Sequence, residues 1–295
     1  MAGDRRNGTI PKEEPQILWQ DTNIAILSKG PGWIVAISRS LEQNKVYYNL
    51  LRSRGLRHHD EVVNSGRLEH LCHYVHLKFK EDKAFELSGS LNHEFGIAHR
   101  LDVDTSGAIM IAKTQAGFSH LRTAFTKHEV FKEYICLVHG AVANDRGEVD
   151  APIHWDESTN FSTVGPAGGK GLWAKSIYTV LGRYRLKGGR KFFSLCRVVI
   201  ITGRTHQIRV HMAYINHPLV ADSKYTKSQA STDLMWCPRL FLHAWRVGFC
   251  DLSRAYHEVK APLCRDLARA LRTLEEVQLS PEQLSGGVGG PSLRL

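Results

Sequence analysis

The sequence predicts an α+β domain. Apolar residues make up 42% and charged residues 23% of the 295 positions, the balance of a globular chain with a core and not of a fibrous or disordered one. Extended apolar segments recur in pairs around turn residues, the pattern of antiparallel hairpins. Helical stripes fall between them irregularly, which argues against the strand-helix alternation of a doubly wound parallel sheet.

The elements follow in chain order. Ile17-Leu18-Trp19 and Ile24-Ala25-Ile26-Leu27 flank the turn formers Asp21-Thr22-Asn23, predicting a hairpin within Ile17–Ile37 that runs into the loop Lys29-Gly30-Pro31-Gly32. Ser38–Ser90 mixes a basic aromatic stretch (Tyr47, Tyr48, Arg52, Arg54, Arg57) with a helix-like Leu68–Phe79. Gly107–Lys113 reads as an apolar strand, and Phe118, Leu121 and Phe125 fall on one face of a helix over Gln115–His128. Val130–His139 is a further strand, and Ala151–Lys175, rich in Gly, Ser and Thr, reads as a long loop. Ser176–Leu186 and Lys191–Thr202 pair around Lys187-Gly188-Gly189-Arg190, where glycines permit the positive φ of a tight turn. Thr205–Asn216 predicts a short helix stopped before Pro218, Leu240–Cys250 a strand, and Leu263, Leu267, Leu271 and Leu274 a final amphipathic helix. The expected organisation is a flexible tail at 1–15, one body at 16–279 with a candidate insertion at 38–90, and a disordered tail at 280–295.

Lys plus Arg number 39 against 29 Asp plus Glu, giving +10 and a pI near 9.4. Both tails are charge-balanced, so the body carries the excess and favours a polyanionic partner. The six cysteines lie far apart and read as reduced thiols. No apolar run reaches the roughly 18 residues of a membrane helix, and residues 1–15 lack the apolar core of a secretory signal. The expectation is an intracellular protein that is not secreted and has no membrane attachment.

Two polar clusters stand where chemistry can occur. His99-Arg100-Leu101-Asp102-Val103-Asp104-Thr105-Ser106-Gly107 precedes an apolar strand, so it reads either as a capped turn or as the lip of a cleft. Thr202-Gly203-Arg204-Thr205-His206-Gln207-Ile208-Arg209-Val210-His211 opens a helix; an Arg there either makes a structural ion pair or keeps a carboxylate ionised and aimed. Other motifs fail. Gly165–Gly171 departs from a phosphate loop at Val164 and Gly171, no Gly-x-Ser-x-Gly elbow exists, and His70, Cys72, His73 and His76 match no zinc spacing. The hairpin bearing Arg183, Arg185, Lys187, Arg190 and Lys191 is a candidate for contacts with the backbone of a polyanion.

These pieces, with Lys132-Glu133-Tyr134, His217-Pro218-Leu219-Val220, Asp222, Tyr225, Leu242-His243-Ala244 and Ala261-Pro262-Leu263 in the same order, resemble the RluA-type family of RNA pseudouridine synthases over most of the chain. The resemblance implies a curved, mixed, mainly antiparallel sheet with flanking helices and a central catalytic cleft. It makes Asp102 the catalytic aspartate, Arg209 its ionic partner and Tyr134 the residue packed on the target uracil. Arg100 fills the gap left by a flipped nucleotide, and Arg204, His206 and Gln207 join it in RNA binding and base flipping. It further implies a monomer acting on ribosomal or transfer RNA with no cofactor and no metal. The chain departs from the family at Val103, where a basic residue is usual, and in a longer stretch before His99. Nothing ahead of Ile17 is long enough for the small RNA-binding domain some members carry. The rival expectations are a non-catalytic RNA-binding or chaperone protein of the same fold, and an acid-dependent hydrolase using Asp102 and Asp104.

Overall fold

The computed structural model describes residues 13–35, 69–165, 169 and 171–280, so the basic aromatic stretch, the first twelve residues of the expected N-terminal tail and 281–295 of the C-terminal one lie outside the described residues. The chain divides into two compact units, Met1–Val130 with Arg246–Pro262, and Phe131–Trp245 with Leu263–Leu295. No helix among the described residues is long and apolar enough to cross a membrane.

In the first unit, β1 (Gln16–Gln20) and β2 (Ile24–Lys29) form the expected antiparallel hairpin. Its turn is held by Asp21, whose Oδ1 accepts the N–H groups of Asn23 and Ile24 at 2.6 Å each. Short β3 (Trp33–Ile34) and β4 (Glu69–His70) run parallel, and α1 (Leu71–Phe79) follows. Residues 13–15 are anchored here: Trp33 Nε1 donates to Glu13 O, and the Tyr74 hydroxyl lies 2.9 Å from Glu14 Oε1. β5 (Ser106–Ala112) pairs antiparallel with β2, placing Gly107 opposite Lys29. Next, α2 (Gln115–Thr126) is capped by Thr114, whose Oγ1 accepts the Gly117 N–H at 3.1 Å. Gly117 is required there because a Cβ would collide with the Asn23 carbonyl. Leu121 packs with Ile24, Ile26, Met110 and Phe249 in this unit's core.

The second unit is built on β6 (Phe131–His139), β7 (Arg146–Asp150), β10 (Lys175–Leu186) and β11 (Phe192–Ile200), all antiparallel neighbours, with β10 central between β11 and β7. The β10–β11 turn bears Gly188 at φ +75°, as its glycines predict. Ala151–Lys175 is not a plain loop: β8 (Ile153–Asp156) and β9 (Phe161–Val164) form an antiparallel hairpin inside it. Asp156 organises its turn by accepting from Ser158 and Thr159. α3 (Gln207–Tyr214) starts two residues later than expected because His206 adopts a left-handed φ of 57°. α4 (Lys227–Asp233) was not anticipated. β12 (Leu242–Cys250) begins in this unit and ends in the first, where it pairs with β13 (Tyr256–Lys260).

The last leucine run is split. α5 (Arg265–Arg272) ends at Thr273, whose Oγ1 donates to Ala270 O, and Leu274 enters β14 (Leu274–Glu276) opposite Leu186 of β10. That turn carries Leu274 into the core with Leu137, Phe193, Phe241 and Leu267. Burying each such side chain contributes roughly 1.5–3 kcal/mol, which outweighs one more helical turn. The fold is α+β with mainly antiparallel strands, as expected.

Candidate functional site

The loop bearing Asp102 is fastened from below. Leu101 is buried, Thr105 N–H donates to Asp102 O at 3.1 Å, and His99 Nε2 accepts the Met110 N–H at 2.8 Å while its ring packs on Phe125. Lys29 supplies the strongest tie. It ends β2, its side chain is fully buried, and its ammonium donates to Gly30 O (3.0 Å), Val103 O (3.0 Å) and Thr105 O (2.7 Å). The Gly32 N–H also donates to Val103 O, a turn that needs the positive φ of Gly32. A buried ammonium is costly unless such carbonyls surround it, so Lys29 and the loop define each other. The backbone is therefore tied at several points, while Asp102 is half-buried and Arg100 exposed.

In the second unit, Lys132 and Tyr134 share a face of β6 by strand alternation, and both are buried. Burial, then the charge of Arg204, lowers the Lys132 ammonium to about 8. Arg209 forms a bidentate pair with Asp222, Nε to Oδ2 at 2.7 Å and Nη2 to Oδ1 at 2.8 Å, and lies over the Tyr225 ring. Asp222 is itself clamped, since Oδ1 also accepts the Lys224 and Tyr225 N–H groups. The two-point pair fixes the plane of the Arg209 guanidinium.

Gln207 and His206 have work within the unit. Gln207 Oε1 accepts from Thr202 Oγ1 (2.6 Å) and Arg204 N (3.0 Å), and its amide donates to Lys175 O and Ser176 Oγ. His206 Nδ1 lies 2.9 Å from the Tyr225 hydroxyl, and Arg204 Nε donates to Trp173 O. His211, fixed between Ser176 Oγ and Ala151 O, is pushed down by burial and so stays neutral. In the basic hairpin, Arg183 serves the Val142 and Ala143 carbonyls and Asp145, and Arg185 meets Glu275 at 2.6 Å. Lys187, Arg190 and Lys191 are exposed.

Asp102 and Arg100 thus belong to the first unit, and Tyr134, Arg204, His206, Gln207 and Arg209 to the second. Sequence reasoning missed Lys29 as the clamp of the Asp102 loop and Asp222 as the partner of Arg209. A lysine closing an otherwise apolar strand was the available signal for the first. An Asp followed at once by residues that cap onto it was the signal for the second.

A family model described as RNA pseudouridylate synthase matches residues 57–214. An uncharacterized RNA pseudouridine synthase, YlyB, of Bacillus subtilis is 37% identical over 183 residues, 61% of this chain and 56% of that protein. A ribosomal large subunit pseudouridine synthase D of Blochmanniella floridana is 41% identical over 200 residues, 63% of this chain and 59% of its own. The chain therefore spans a little over half the length of these relatives. Among solved structures, human RNA Pseudouridylate Synthase Domain Containing 1 superposes with a TM-score of 0.60 at 20% identity, covering 95% of this chain and 98% of that one. At that identity the likeness establishes the fold.

Proposed function

This chain belongs to the RNA pseudouridylate synthase family, and from that premise we propose that it isomerises uridines of structured ribosomal or transfer RNA to pseudouridine with Asp102 as the reactive carboxylate. One observation carries this: the matched segment 57–214 contains the fastened Asp102 loop, Tyr134 and the helix start from Arg204 to Arg209.

The chemistry asks little of the protein beyond position and charge. The C1′–N1 bond breaks, the uracil turns, C5 bonds to C1′, C5 loses its proton and N1 gains one. Atoms and oxidation state balance without a cofactor. A single ionised carboxylate starts the sequence, either by attack on C1′ or by removing a sugar proton. Tyr134 offers a face to the uracil, and Arg209, aimed by Asp222, is the charged partner that the family resemblance gives the carboxylate. A paired base must first leave its stack, and Arg100, exposed on the Asp102 loop, fills the gap.

The test is incubation of the protein with RNA tritiated at uracil C5. Tritium released to water with the RNA chain intact supports the proposal. Release absent across ribosomal and transfer RNA, with binding retained, contradicts it and leaves a non-catalytic RNA-binding protein.

A further inference from the structure

Within the second unit, the β8–β9 hairpin meets the turn that opens α3 and leaves a tryptophan exposed beside it. Ile153 and Trp155 point to the same side of β8 by alternation. Ile153 sinks into a small cluster with Ala174 and Val210, while Trp155 runs past it and remains 36% exposed. The His206 ring meets the indole edge-on at 5.6 Å, and the Lys224 ammonium stands 5.8 Å from its centroid. Both framing groups are fixed. His206 is held by the Tyr225 hydroxyl, which also receives the Ser162 N–H, and Lys224 donates to Asn160 O across the hairpin. Leu172, bridged to Ile153, and Trp173 beside it are 60% and 49% exposed, with Arg204 donating to Trp173 O.

A single exposed apolar residue needs no explanation. Here an exposed tryptophan is braced edge-on by His206 and lies beside the Lys224 ammonium, on a chain of net charge +10. Of the acids nearby, Asp150 is engaged with Trp173 and Lys175 and Asp156 with its own turn, while Glu157 is exposed on the same hairpin. Rigid aromatics framed by cations are what unpaired nucleotides require, a π-face for the base and positive charge for the backbone.

We propose that Trp155, framed by His206 and Lys224, is a stacking platform for an unpaired base of the RNA substrate other than the reacting uridine. The assignment rests on the functional reading above. It gives the protein a preference for RNA with an unstacked nucleotide near its target, read by stacking and so tolerant of base identity.

The experiment uses the full chain and a fluorescent twelve-nucleotide oligouridylate, together with the same RNA carrying one abasic ribose at each position in turn. Base–aromatic stacking is worth about 1–3 kcal/mol, so Trp155→Ala is expected to weaken binding roughly 5- to 150-fold. The slope of log affinity against log salt stays unchanged, because no phosphate contact is removed. Trp155→Phe restores most of the affinity. Trp155→Leu, which keeps apolar bulk against His206, loses it while unfolding at the wild-type temperature. On one abasic RNA the wild type weakens by a similar factor and Trp155→Ala adds nothing. Binding by Trp155→Ala or Trp155→Leu within twofold of wild type overturns the proposal, as does a loss of equal size on every abasic RNA. Pseudouridine formation by the wild type is measured alongside: if it occurs while Trp155→Ala binds normally, the platform alone is wrong; if it never occurs, the functional reading has failed.

Discussion

Replacing Lys29 with Met keeps the length of a fully buried side chain and removes the ammonium that binds three carbonyls at 3.0, 3.0 and 2.7 Å. Val103 O retains the Gly32 N–H, whereas Gly30 O and Thr105 O lose this charged donor. Each buried acceptor deprived of a partner costs roughly 1–3 kcal/mol, partly offset because the ammonium no longer has to be desolvated. The expected net loss is about 2–4 kcal/mol. For units of this size that lowers Tm by roughly 5–15 °C in differential scanning calorimetry. The chemical step suffers separately, since the Asp102 loop loses its anchor and a misplacement of about 1 Å is enough to cost on the order of a hundredfold. Single-turnover isomerisation, measured well below the lowered Tm, isolates that second effect. Melting within about 1 °C of wild type together with unchanged turnover would refute the clamp.

Further perturbations separate the remaining roles. Asp222→Asn removes the charge opposite the buried Arg209 guanidinium, and breaking one side of such a pair costs roughly 3–5 kcal/mol, so a large fall in Tm and in turnover is expected; a variant as stable and active as wild type would remove Asp222 from the account. Lys132 titrates near 8 when folded against about 10.4 for a free lysine, so between those values the unfolded chain binds more protons and stability from this group rises with pH. Lys132→Met escapes that penalty, and its Tm relative to wild type should therefore be higher at pH 7 than at pH 10; a pH-independent difference would contradict the shift. Arg100→Ala should lose much more single-turnover rate on a uridine held in a stem than on the same uridine in a flexible strand. Equal losses on both would make Arg100 a phosphate contact.

How much was legible in the sequence depended on where the physical signal lay. Hairpins announced themselves where short-range chemistry sets them, as at Asp21 and Gly188, and α2 followed from its apolar stripe. The hairpin in 151–175 did not, because its strands have four residues each and are held by contacts distant in sequence, such as Ser162 with Thr205 and Tyr225. Leucine spacing carried the last helix too far, since Leu274 keeps helical register in sequence but gains a strand partner in Leu186. Asp102, Tyr134 and Arg209 are singled out by their family motifs alone. Gln207, grouped by the resemblance with residues expected to contact RNA, is buried in a backbone-holding network that no local pattern reveals. Lys29 and Asp222 escaped because their importance comes from partners: carbonyls more than seventy residues away for the lysine, a guanidinium thirteen residues away for the aspartate.

The most direct measurement is nucleoside analysis of ribosomal and transfer RNA after incubation with wild-type protein and with Asp102→Asn. Digested nucleosides are separated chromatographically, and RNA binding is measured on the same preparations. The wild type is expected to convert uridine to pseudouridine one for one. Asp102→Asn is expected to form none while binding RNA nearly as well, because the basic surface is untouched. Pseudouridine made by Asp102→Asn, or none made by a wild type that binds the RNA, would contradict the account.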